Sequence, residues 1–117
     1  MKQHSKCVGI IGLGIMGSII ARALVAAGHE LVGFDPFPAA RARLRRSGGR
    51  VLASGTEVAQ QADALICSLP NTAALHAVVA DLQRGGRPKA GQIVIETSTL
   101  PLADKLAAAA ALRQQGR

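Results

Sequence analysis

Gly12-Leu13-Gly14-Ile15-Met16-Gly17 has the G-x-G-x-x-G spacing that carries a chain from a strand into a helix around an anionic ligand. Gly12 permits the tight turn, Gly14 leaves room for a pyrophosphate against the backbone, and Gly17 lets the helix close on the strand. Free N–H groups and the helix dipole favour negative charge at such a terminus. Asp35 follows Gly17 by 18 residues and ends the next apolar run. That is close to the spacing of an acid that accepts hydrogen bonds from the ribose of a bound dinucleotide. A cofactor site is therefore expected on Gly12, Leu13, Gly14, Ile15, Met16, Gly17 and Asp35. A carboxylate at Asp35 repels a 2′-phosphate, which favours NAD over NADP. The basic stretch holding Arg41, Arg43, Arg45 and Arg46 is the opposing consideration, since one of these could reach a 2′-phosphate.

These residues need a scaffold, and the apolar pattern supplies one. Cys7 to Ile11 reads as a strand buried on both faces. Ile15 to Ala27 reads as a helix stopped by Gly28. Leu31 to Phe34 is a strand, and Pro36 and Pro38 forbid its continuation. Helices are expected at Ala39 to Arg46, Thr56 to Gln61 (capped by Ser54 or Thr56), Thr72 to Leu82 and Pro101 to Gln115. Further strands are expected at Arg50 to Ala53, Ala64 to Leu69 and Gln92 to Glu96, with a loop from Arg84 to Gly91. Strand and helix alternating over short loops predict an α/β fold of the Rossmann type. Its parallel sheet is doubly wound, with helices on both faces. Five strands are found where a full dinucleotide fold has six. The chain therefore reads as one dinucleotide-binding domain over 1–117, cut before the sixth strand.

Composition narrows the function classes. The 117 residues are 49% hydrophobic but only 2% aromatic, with no Trp or Tyr. Ala, Val, Ile and Leu must build the core, and so few aromatics weaken any reading as a platform that stacks single-stranded nucleic acid. The net charge of +7 accompanies no nucleic-acid motif; its basic residues read as decoration of helix faces, with steering of anionic cofactors and acidic substrates as the alternative. Cys7 and Cys67 sit in buried apolar runs, outside any CxxC or metal-ligand spacing, so no metal is expected. A reduced, cytoplasmic compartment is the default. The start, Met1 to Lys6, is short and polar, the apolar run after it is broken by glycines and does not read as a signal-peptide core, and no run reaches membrane-spanning length. His4, His29 and His76 share no spacing with acids or cysteines and receive no catalytic role.

With those residues in place, the chain resembles the β-hydroxyacid dehydrogenase family over nearly its whole length, Val8 to Gln115. That family includes the 3-hydroxyisobutyrate dehydrogenases and the tartronate semialdehyde reductases. 6-Phosphogluconate dehydrogenase is a more distant relative. Leu13 and Met16 carry the resemblance, because dinucleotide binding in general does not demand them. Ile20 and Ala23 depart from the family's usual Met and Asn. Leu69-Pro70-Asn71 is similar to its segment after the fourth strand, which implies that Leu69 and Pro70 run past the cofactor. Glu96-Thr97-Ser98-Thr99 is similar to its D-x-S-[ST] segment, with Glu for Asp. The resemblance implies that Thr99 lies near the nicotinamide riboside and that Ser98 borders the substrate. N-capping of the last helix is the alternative role for both.

The resemblance further implies an oxidoreductase. It would move a hydride reversibly between NAD and a small 3-hydroxy acid or semialdehyde. The general acid/base lysine and the substrate-carboxylate stretch belong to regions this chain lacks, and neither Lys89 nor Lys105 matches that lysine. No catalytic residue is therefore expected here. The chain supplies the cofactor half, and a missing helical domain would carry homo-oligomer contacts. A non-catalytic NAD-binding module is the alternative, and a basic nucleic-acid binder is a third reading. Neither nucleic acid nor membrane is an expected partner.

Overall fold

The computed structural model describes residues 6–86 and 88–117. Met1 to Ser5, including His4, and Arg87 of the loop before the last strand lie outside the described residues. The elements alternate as β1 (Cys7–Ile11), α1 (Ile15–Ala26), β2 (Glu30–Phe34), α2 (Pro38–Arg46), β3 (Arg50–Val51), α3 (Gly55–Gln61), β4 (Ala64–Cys67), α4 (Thr72–Arg84), β5 (Ile93–Glu96) and α5 (Leu102–Arg113). The strands form one sheet in the order β3-β2-β1-β4-β5, and every pairing is parallel. The Rossmann expectation holds in element type and in order.

Burial explains the order. All five residues of β1 are buried, so this strand has no face to give to water and takes the centre of the sheet. Val8 and Ile10 face α1 and α2, where they meet Ala21 and Leu44. Ile11 faces the other way, into a cluster with Val58, Leu65, Val78, Leu82 and Leu112 from α3, β4, α4 and α5. The period of two in β1 and β4 thus divides one apolar chain between two layers. Asp63 fixes the start of β1 by accepting the Cys7 N–H at 2.9 Å, and it pairs with Lys89 at 2.9 Å.

Some boundaries move from their sequence expectation. β3 ends at Val51, because its ladder with β2 covers only Val32 and Gly33. β4 ends at Cys67; the next two N–H groups leave the ladder with β5, Ser68 donating to the Ile11 carbonyl and Leu69 to Ser98. Of the two candidate caps for α3, Ser54 fills the role, its Oγ accepting the Glu57 N–H at 3.2 Å. Pro101 is the N-cap of α5 and not its first residue, so neither Ser98 nor Thr99 caps that helix. No helix among the described residues is long and apolar enough to cross a membrane.

Two outcomes follow. Burial raises the pKa of both thiols, Cys67 to about 12 with Glu96 adding to it, and Cys7 with Glu30 as the next contribution. Both cysteines are therefore expected to resist an aromatic disulfide reagent at pH 8 and to react once guanidinium unfolds the chain; fast reaction of the folded protein would contradict the burial. The second outcome concerns β5, which among the described residues pairs with β4 alone and leaves Ile93 61% and Ile95 46% exposed. Such an edge invites pairing between copies. Sedimentation velocity should detect concentration-dependent self-association that Ile93→Lys abolishes, whereas a clean monomer at high concentration removes the edge as the cause.

Candidate functional site

The parallel strands present their carboxyl ends on one side, and the strand order reverses at β1: the chain runs from β1 to β2 and β3 on one side and returns from β3 to β4 and β5 on the other. A crevice is expected at such a switch point. It is found as a cleft of about 550 Å³ lined by Gly12, Gly14, Ile15, Met16, Asp35, Phe37, Ala39, Ala40, Arg43, Ser68, Leu69 and Pro70. Most of the expected cofactor residues therefore meet in one place. Leu13 and Gly17 lie beneath its floor and are buried.

The three glycines do different work. Gly12 has φ +93°, and a Cβ there would stand 2.1 Å from the Ser68 carbonyl oxygen. The turn needs the missing side chain twice over, for its angle and for the approach of β4. A Cβ on Gly17 would fall 2.2 Å from the Gly12 carbonyl oxygen, so the first turn of α1 rests on the glycine loop itself. Gly14 differs: a Cβ there meets nothing within 4 Å. The fold does not require glycine at this position, but a ligand approaching the helix terminus would.

That terminus is electrostatically open. Gly14 is the N-cap of α1, with no side-chain cap and no acid in the first turn. The N–H groups of the first turn have no intrahelical acceptors, and no acid of the helix itself offsets the positive end of the dipole. The residues present suit a pyrophosphate, and the emptiness beside Gly14 gives it space.

Asp35 is 7% exposed, and both of its carboxylate oxygens are engaged. Oδ2 accepts the Leu13 N–H at 2.7 Å and Oδ1 accepts the Phe37 N–H at 2.9 Å. Each oxygen keeps a further lone pair for a ribose hydroxyl. Arg41 donates to the carbonyls of Asp35 and Pro36, both at 2.9 Å, and Arg43 donates to the Leu13 carbonyl at 3.0 Å. Both guanidinium groups thus serve the backbone of the loops. The cluster Arg43, Arg45 and Arg46 also lies in the last turn of α2, where cations are favoured by the dipole.

A second hollow adjoins the first, between Pro36 and Phe37 on one side and Leu69, Pro70, Asn71, Ala74 and Ala77 on the other. Phe37 is 68% exposed although apolar, which suits a flat heterocycle lying against it. Phe37 and Ala74 were not among the expected site residues. An exposed aromatic at the end of a helix gives no periodic signal, yet it is one of only two Phe in a chain without Trp or Tyr.

Ser98 and Thr99 stand outside the lining of both hollows. The Ser98 hydroxyl is buried and committed: it accepts the Leu69 N–H at 2.5 Å and donates to Glu96 Oε2 at 3.1 Å. The Ser98 N–H donates to the other oxygen of Glu96, which also lies 3.7 Å from Lys105. Glu96 and Ser98 therefore brace the segment after β4. Thr99 is exposed. Among the described residues, no group of three His, Cys, Asp or Glu side chains is placed to hold a metal.

Over residues 7–117 the chain matches the family described as the NAD binding domain of 6-phosphogluconate dehydrogenase. Human mitochondrial 3-hydroxyisobutyrate dehydrogenase is 35% identical over 96 residues, which is 80% of this chain and 28% of that protein. A structure of Mycobacterium tuberculosis 3-hydroxyisobutyrate dehydrogenase with L-serine superposes with a TM-score of 0.85 at 30% identity, covering 96% of this chain and 38% of the other. A 3-hydroxyisobutyrate dehydrogenase structure from Salmonella typhimurium superposes at 0.83 with 36% identity, over 95% of this chain and 39% of the other. The chain spans between about a quarter and two fifths of the length of these relatives.

The open space at Gly14 and the crowding at its neighbours separate binding from folding. Gly14→Ala should keep stability within about 1 kcal/mol of the parent while weakening dinucleotide binding at least about tenfold. Gly12→Ala and Gly17→Ala should each lose about 3 kcal/mol in denaturant melts. Gly14→Ala with undiminished binding would show that no ligand uses this approach.

Proposed function

The chain belongs to the family of the NAD binding domain of 6-phosphogluconate dehydrogenase, and we propose that it is the cofactor-binding half of an NAD-dependent oxidoreductase acting on a small 3-hydroxy acid or its semialdehyde. One observation carries the proposal. The N-terminus of α1 has neither cap nor acid and opens on a glycine whose missing side chain the fold does not need. An anion is the group that completes it.

In this reading the pyrophosphate takes the N–H groups from Gly14 to Gly17, and Ile15 and Met16 contribute through their backbone. Asp35 receives the adenosine ribose hydroxyls on its remaining lone pairs. Phe37, Leu69 and Pro70 enclose the adenine, and Thr99 lies toward the nicotinamide riboside. Ser98, behind Thr99, borders the substrate through its place in the chain and holds Leu69 through its hydroxyl. The nicotinamide, when bound, supplies the hydride chemistry; this chain's residues bind and orient it. No lysine here is offered for the proton at the substrate hydroxyl, and we assign that role to the remainder of a longer protein, along with oligomer contacts. The substrate class rests on similarity to the 3-hydroxyisobutyrate dehydrogenases.

NAD is preferred to NADP on two grounds. The Asp35 carboxylate lines the cleft where a 2′-phosphate would lie, and Arg41 and Arg43 are engaged with carbonyls. Calorimetric titration with NAD⁺, NADH, NADP⁺ and NADPH at fixed salt tests this. The non-phosphorylated pair should bind about tenfold tighter, or roughly 1.4 kcal/mol. Asp35→Asn, which keeps one acceptor oxygen, should narrow that gap. Preference for the phosphorylated pair would transfer the ribose-reading role to the arginines of α2, and no binding of any of the four would remove the function.

A further inference from the structure

We propose that Arg43 is a positioning residue of the glycine loop, working with Asp35 to clamp Leu13 from both sides. The inference rests on the reading of residues 12–17 as the cofactor loop and deepens it. Leu13 sits between the first two glycines, with its side chain 1% exposed in the core. Its N–H is taken by Asp35, 22 residues away, and its carbonyl by Arg43 Nη2, 30 residues away. The hydroxyl of Ser18 donates to the same carbonyl at 3.2 Å.

Peptide planarity turns this grip into function. The Leu13 carbonyl and the Gly14 N–H share one rigid trans unit and point in opposite directions. Fixing the carbonyl on Arg43 therefore fixes the Gly14 N–H, which borders the open space at the terminus of α1. A cation on the carbonyl also polarises the unit and makes that N–H a stronger donor. In the same way, the Asp35 bond fixes the Gly12 carbonyl, on which Gly17 packs.

Packing does not force Arg43 into this contact. The residue is exposed, and among the described residues it has no acidic partner within 4.0 Å. The glycine fingerprint asks for no cation on the second helix to shape its loop; an arginine enters it only as a reader of a 2′-phosphate. Arg43 also lines the cleft itself, so the guanidinium lies next to the site that it sets.

The test compares Arg43→Met, which keeps an unbranched stem without donors, with Arg43→Lys, which restores one donor and the charge. In the unliganded protein, a loop released at the Leu13 carbonyl should also leave its Asp35 bond more often, so Arg43→Met should speed hydrogen exchange of the Leu13 amide about tenfold, with the melting temperature within about 2 °C of the parent. NAD⁺ should bind about five- to tenfold more weakly. That loss should persist at about 0.5 M salt, where a distant charge is screened, and Arg43→Lys should recover a good part of it. Unchanged Leu13 exchange overturns the proposal. So does a binding loss that disappears at high salt, which makes Arg43 a mere charge, or one confined to NADP⁺, which makes it a 2′-phosphate reader. The exchange experiment needs no ligand, so it still decides the clamp if the parent protein binds no dinucleotide and the proposed function fails.

Discussion

The Leu13 N–H donates to the buried carboxylate of Asp35 at 2.7 Å, and this bond joins the first crossover to the second. It depends on β1 and β2 being parallel neighbours, because only then do the glycine turn and the end of β2 emerge side by side. It depends as well on Gly12, whose N–H donates to the Phe34 carbonyl at 3.2 Å while its φ of +93° aims the chain back over Ser68. A buried carboxylate is tolerable only when its oxygens are bonded. Leu13 and Phe37 meet that need, and in doing so they fix the shape of both loops that wall the cleft.

A second brace works on the other side of β1. Ser98 and Glu96 hold the Leu69 amide, and the Thr97 hydroxyl bonds the Cys67 carbonyl at 2.8 Å. The wall formed by Leu69 and Pro70 is thus tied to β5, as the wall formed by Phe37 is tied to β2. Preorganised surroundings of this kind reduce the ordering cost of a ligand. The bracing groups are serine, threonine and carboxylates at strand ends, where backbone N–H and C=O groups leave the ladder and need partners.

Much of this was legible in the sequence. The apolar runs placed the five strands of the described residues, and Gly28, Pro36 and Pro70 marked where elements stop, while Pro38 opens α2. The G-x-G-x-x-G spacing and Asp35 located the cleft. What escaped were contacts between residues far apart in the chain. Nothing in the stretch around Arg43 says that it reaches a carbonyl 30 residues earlier. The same holds for Ser98, whose hydroxyl was expected near a substrate and is spent on an amide 29 residues away. Phe37 was invisible for a different reason, since a single exposed aromatic has no pattern until its neighbours are known. Asp35 itself was read as a ligand group, and the structure adds that it is first a joint in the backbone.

The clamp on Leu13 has a consequence for the order in which the molecule can assemble. All its members, from Gly12 to Arg43, lie in the first half of the chain, and its bonds close loops of 22 and 30 residues. The opposite wall waits for β4, whose entry is pinned to β1 by a bond spanning 56 residues. Closing the longer loop costs more chain entropy and is slower. During synthesis, when amino-terminal parts emerge first, every residue that holds Leu13 has been made before Leu69 and Pro70 leave the ribosome. The wall of Leu69 and Pro70 is therefore the later-formed side of the cleft, so a nascent chain sets the shape of its glycine loop before the opposite wall exists.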